Sequence, residues 1–180
     1  MRADRSIEER IALAMPVAIV RVAMRACMRM SPGSPIRRRI FKRAFARGLE
    51  GSARGDHAFA LLFYEPDVDL RVVGDVAPAL GLAERYAGHG GYVQAWQDYT
   101  RDMGSLRVVP EELIDLGDRV ALRAKLVGVG RSSGVETART LGYVCYLSAR
   151  GLIARQEGYW EWEQALACLA HRGGGAPIGD

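Results

Sequence analysis

The sequence predicts an α+β domain preceded by a helical extension, and three observations lead there. Apolar residues recur at helical spacing through the first third of the chain. The last third alternates apolar and polar residues as strands do, and the turn pairs Gly117-Asp118 and Arg150-Gly151 divide it at hairpin distances. Helices first and an antiparallel meander afterwards argue against a parallel α/β arrangement. At 180 residues, with 49% hydrophobic and 26% charged side chains, the chain can bury a sizeable core and is too apolar to be disordered.

Each element follows from its residues. Ser6 and Glu9 form a capping-box pattern at the head of a helix reaching Met30. Pro16 should kink this helix or divide it, and Arg21, Arg25 and Arg29 lay a polar stripe along it. The break at Ser31–Pro35 precedes a second helix over 36–51, loaded with Arg37, Arg38, Arg39, Lys42, Arg43 and Arg47. Asp56 is placed to cap a short helix to Phe63, which Pro66 should end. A strand is expected over 68–73, irregular chain over 74–88, and a helix over 90–103 with Tyr92, Val93, Trp96 and Tyr99 on one face. Strands follow over 106–115, 119–129, 137–148 and 152–161, then a short helix with Trp162, Ala165, Leu166 and Leu169. The expected division is a basic extension (1–46), a main domain (47–172) and a disordered tail (173–180).

Charge is divided in the same way. Residues 1–54 carry a net +9 and residues 55–180 a net −5. Lysine is nearly absent and asparagine wholly so, a compositional bias that weakens arginine as a sign of phosphate recognition; no nucleic-acid partner is expected. Cys27, Cys145 and Cys168 are widely spaced and lack a C-x-x-C pair, so reduced thiols in a cytoplasm are expected. His57, His89 and His171 never approach ligand spacing, and no metal site is expected.

Three segments could carry chemistry. Gly128–Gly134 has glycines at the wrong spacing for a dinucleotide loop and runs into a strand rather than a helix, so it reads as a turn. Gly88–Gly91 with His89 could receive an anion, although glycines permitting a tight helix entry explain it more simply. The final hairpin is richest. With Arg150-Gly151 as a two-residue loop, Leu147 pairs with Ala154, Tyr146 with Arg155 and Val144 with Glu157. One face then holds Tyr146, Arg155, Glu157 and Tyr159; the other, more apolar, holds Tyr143, Cys145, Gln156 and Trp160. The first mixes ionisable and aromatic groups as a pocket wall does, unless Arg155 and Glu157 form a solvated ion pair.

The segment from Arg47 to Leu169 resembles the SnoaL-like branch of the nuclear-transport-factor-two-like superfamily. Carrying the resemblance, in family order, are Tyr64–Asp69, Tyr86–Gly90 before a Trp-bearing helix, Glu111–Val120, Gly130–Gly134, Arg150–Ile153 and Tyr159–Leu166. It implies a cone: a curved antiparallel sheet wrapped on helices around an apolar cavity, usually in a homodimer. It also implies an acidic acid/base on the last long strand, matching Glu157–Glu161 here.

These readings converge on a cofactor-independent lyase, cyclase or isomerase acting on a small apolar polyketide-, terpene- or steroid-like molecule. A non-catalytic binding or dimerisation module is the alternative. Glu157 is the expected acid/base, Tyr159 and Tyr146 the donors, Arg155 the orienting cation, and Asp69 the reserve base. Trp96, Tyr99 and Tyr143 complete the expected pocket. The homodimer is expected through residues 106–161, because two apolar sheet faces exceed what the helices can cover. Residues 1–47 are expected mainly to pack, with weak contact to an anionic membrane surface as the lesser role.

Overall fold

The computed structural model describes residues 5–171; the tail expected over 173–180 lies outside them. Ser6 opens the first helix, α1 (Ile7–Ala14), through a complete capping box: its hydroxyl accepts from Glu9 N at 3.3 Å while Glu9 Oε2 accepts from Ser6 N at 2.6 Å. Pro16 then divides the run, and α2 (Val17–Met28) leaves at 111° to α1. Ser34 caps α3 (Pro35–Ala53), accepting from Arg37 N.

Arg37 anchors this region to the sheet. It is 1% exposed, sits with its Nε 2.7 Å from Asp115, and donates to the carbonyls of Met28, Met30 and Gly117. α3 runs unbroken through the boundary expected at 46/47 and buries Phe41 against the sheet, in one cluster with Met24 and Cys27 of α2. An isolated amphipathic helix has no reason to end where a resemblance begins.

The chain continues through α4 (Ala58–Leu61), β1 (Tyr64–Val72), α5 (Val76–Leu80), β2 (Arg85–Ala87) and α6 (Gly88–Thr100). Then come β3 (Met103–Asp115), β4 (Arg119–Gly130), β5 (Glu136–Leu147), β6 (Ile153–Tyr159) and α7 (Trp162–His171). β1 starts four residues earlier than its alternation suggested and contains Pro66, whose exposed ring sits within the irregular pairing between Tyr64 and Asp69. The stretch 74–88, expected to be irregular, holds α5 and β2.

The six strands form one curved sheet ordered β2-β1-β6-β5-β4-β3. It is mixed rather than antiparallel, since β1 runs parallel to β6 with Asp69 opposite Arg155 and Val72 opposite Gly158. Alternation identifies a strand but says nothing of its neighbour, and the long connection between β1 and β6 leaves their direction free. Helices α3 and α6 pack on the inner face. Helix α7 lies on the outer face, where Ala165 and Trp162 join Ala121, Val144 and Tyr159. Helix α7 thus covers the part of the outer face around Ala121 and Val144, while Val109, on the same face, stays exposed.

The hairpin pairs Tyr146 with Arg155 and Val144 with Glu157 as expected, but Leu147 pairs with Ile153. Its loop is longer than two residues. Ser148 N donates to Leu152 O, Gly151 adopts φ +77°, and the Ser148 hydroxyl and Arg150 both donate to buried Glu65 at 2.6 and 3.0 Å.

Candidate functional site

The inner face of the sheet, α3 and α6 enclose an open-mouthed cavity of about 700 Å³. Strand alternation brings Leu70 and Val72 of β1, Leu126 of β4, Tyr143 of β5, and Gln156 and Gly158 of β6 to this side. Helical spacing brings Tyr92, Trp96 and Tyr99 of α6 against them, the rings of Trp96 and Tyr99 meeting edge to face at 6.4 Å. Tyr64 and Tyr92, 4.7 Å apart between ring centres, also border a second cavity of about 500 Å³ lined by Met24, Phe41, Phe45 and Leu147.

Polar groups in the larger cavity are few. Tyr64 donates to Gln156 Oε1 at 2.6 Å, which leaves the Gln156 amide nitrogen as the free end of that side chain. Tyr92 is satisfied by the Ser52 hydroxyl at 2.9 Å, and Tyr86 donates to Asp98 at 2.9 Å. Among the described residues, the hydroxyls of Tyr99 and Tyr143 have no side-chain or backbone partner. Burial pushes Tyr92 and Tyr99 up to about 12 and Tyr143 higher still, so these phenols stay protonated donors. Among the described residues, no Asp, Glu or His lines this cavity.

The expected catalytic group lies elsewhere. Glu157 is 4% exposed and sits on the outer face beneath α7, accepting from Tyr146 at 3.0 Å and Tyr159 at 2.7 Å, with Cys168 Sγ 3.7 Å away. Arg155 contacts it directly at 3.2 Å and stacks over the Tyr146 ring at 4.1 Å. Burial pushes Tyr146 up to about 12 and Tyr159 further. Glu157, Tyr159, Tyr146 and Arg155 are therefore brought together, but away from the cavity wall. Mixed polarity arises here because a helix covers a buried carboxylate paired with a half-buried arginine.

Asp69 does not line the cavity either. It is held between Arg85 at 2.6 Å and Arg71 at 2.8 Å; burial works to raise its pKa, but the hydrogen bonds from Arg85 and Arg71 hold it below its ordinary value. Trp96, Tyr99 and Tyr143 do stand in the wall, joined by Gln156 and Gly158 from the face the hairpin reading set second. Trp160 packs against the same buried cluster with Arg139 stacked on its ring. Tyr64 and Leu126 were missed as wall residues; the greater apolar content of their face was the available signal. Among the described residues, no group of three or more His, Cys, Asp or Glu side chains is placed to hold a metal ion.

A helix-backed curved sheet around an apolar cavity is the nuclear-transport-factor-two-like cone fold, and solved structures share it. TerC, crystallised with polyporic acid, superposes with a TM-score of 0.57 at 21% identity, over 72% of this chain and 96% of that one. An NTF2-like protein of unknown function from Burkholderia pseudomallei gives 0.57 at 18%, over 69% and 93%. A SnoaL-like protein of unknown function from Burkholderia thailandensis gives 0.53 at 16%, over 73% and 99%. No protein-family model and no curated protein matches the sequence.

Proposed function

We propose that the chain uses its larger cavity to bind a small, mainly apolar molecule carrying oxygen acceptors such as carbonyl or ether groups. The observation that carries this reading is the contrast within the wall: mostly rings and aliphatic side chains, with Arg71 at its border paired to Asp69 and the Tyr99 and Tyr143 hydroxyls and the Gln156 amide left as donors. Three donors and no lone base suit the recognition of oxygen atoms. Proton transfer by a carboxylate, as a lyase, cyclase or isomerase would need, has no Asp, Glu or His among the described residues of this wall to serve it. The binding module is the reading favoured here, and the crystallisation of TerC with polyporic acid is consistent with the fold serving such ligands.

Gly158 offers the test. A Cβ built there would lie 3.6 Å from Tyr143 and 3.8 Å from Arg71 O, ordinary contacts that a larger side chain extends into the cavity. Screening a panel of aromatic and isoprenoid ketones by thermal shift and tryptophan fluorescence should yield binders. Gly158→Leu should abolish their binding while the protein stays folded. Tyr143→Phe or Gln156→Leu should weaken it about tenfold, the effect of one lost hydrogen bond. Binders unaffected by Gly158→Leu would place the ligand elsewhere, and a panel without binders would count against the reading.

A further inference from the structure

The outward sides of α1 and α2 reverse the usual polarity of a surface helix. α2 turns Val20, Met24 and Cys27 inward and leaves Val17 47%, Ile19 51% and Val22 65% exposed; α1 leaves Ile7 74% and Ile11 55% exposed. The acids of this region among the described residues are already paired: Glu8 with Arg43 and Arg47, and Glu50 with Arg47 at 2.8 Å, both at the surface, and buried Glu9 with Arg54 at 3.1 Å. Arg10, Arg21, Arg25 and Arg29 are exposed and, among the described residues, have no carboxylate partner. Arg21, Arg25 and Arg29, the last capping the end of α2, recur every fourth residue beside the side that Val22 and Ile19 share, with Val17 on the other side of the arginines.

We propose that α1 and α2 dock in the plane of an anionic lipid surface. At 12 residues α2 is too short to cross a bilayer alone, and no single helix among the described residues is long and apolar enough to cross one; α1 and α2 reach that length and composition only as a pair broken by the 111° bend, which suits lying in the surface better than a straight span. An in-plane helix instead needs what is present here: aliphatic side chains to enter the acyl boundary and arginines whose stems lie along it with their charge at the headgroups. A second copy meeting through this face would set arginine against arginine, the acids among the described residues here being already paired. An anionic bilayer complements both the charge and the apolar strip.

Full-length protein should co-sediment with vesicles of phosphatidylcholine mixed with phosphatidylglycerol, not with phosphatidylcholine alone, and should be released by salt. Replacing Arg21, Arg25 and Arg29 together by Gln should weaken this binding roughly a hundredfold, about fivefold for each cation at an anionic surface. Val22→Asp, at an exposed position, should weaken it with melting unchanged. Failure to sediment with the anionic vesicles at low salt, or unaltered binding by both variants, would overturn the proposal. So would a dimer in sedimentation velocity that Val22→Asp dissociates, because the strip would then belong to a second copy.

Discussion

Tyr159 donates a 2.7 Å hydrogen bond to Glu157 from two residues along the same strand, on the sheet face opposite the cavity. Same-face neighbours on β6, they share the space beneath α7 with Tyr146 and Cys168, so the carboxylate acts as an acceptor hub holding helix to sheet. Glu157→Ala leaves two phenols and Arg155 without their partner. It should cost about 3 kcal/mol in urea denaturation, as expected when one side of a buried charged pair is removed. Tyr159→Phe should cost about 1 kcal/mol. Neither change should alter ligand affinity. A variant of Glu157 that kept full stability and lost binding would return this group to a functional role.

All seven tyrosines are held above their ordinary value, burial being the leading cause at each. For a group raised by folding, the folded state keeps its proton while the unfolded chain loses it. The tyrosines' contribution is therefore fully present below about pH 10, the unfolded value, and is lost as pH rises toward 12 and beyond. Stability from denaturant titrations should fall above pH 10, and tyrosinate absorbance should appear together with unfolding rather than before it. A tyrosinate signal titrating near pH 10 in still-folded protein would contradict this placement of the rings.

The Arg37–Asp115 pair ties α3 to the turn between β3 and β4, with both side chains almost wholly out of solvent. Asp115 also accepts from Gly117 N at 3.0 Å, so it braces the turn and the helix together. Asp115→Ala strands a buried guanidinium and should cost about 3–5 kcal/mol. Adding Arg37→Met should recover part of that loss, because the uncompensated charge goes with it. A double variant less stable than Asp115→Ala by the full cost of Arg37→Met alone would mean that the two groups act independently.

Local signals carried far into this fold. Ser6 with Glu9, Pro16 and Ser34 mark helix boundaries through bonds and rings that need no distant partner, and the pairing of Tyr146 with Arg155 follows from placing the turn at Arg150-Gly151. What stayed hidden depends on long-range contact. Nothing near β1 reveals that it lies parallel to β6, and nothing in β5 or β6 says which face α7 will cover. Period-two alternation sorts residues into two faces but does not name the inner one. The ionisable face around Glu157 drew attention for its chemistry, whereas the cavity lies on the face with more rings and fewer charges, where Tyr143 and Gln156 stand.

Gly142 decides whether α7 can stay on the sheet. It lies opposite Tyr159 in the β5–β6 pairing, and a Cβ placed there would come within 2.8 Å of Ala165 Cβ and 3.3 Å of the Trp162 ring. The helix approaches at this point because the strand offers no side chain, and Ala165 is fully buried in consequence. Gly142→Ala should therefore lift α7 by a few tenths of an ångström or more and cost about 1–3 kcal/mol, the range for overpacking a filled interior. The cost should be largely absent in a chain that also carries Ala165→Gly, which clears the space the new methyl needs. If α7 is held mainly by Glu157 and its phenols rather than by this close approach, Gly142→Ala will melt like the parent. Loss of stability that Ala165→Gly restores would instead assign the seating of α7 to the Gly142 contact.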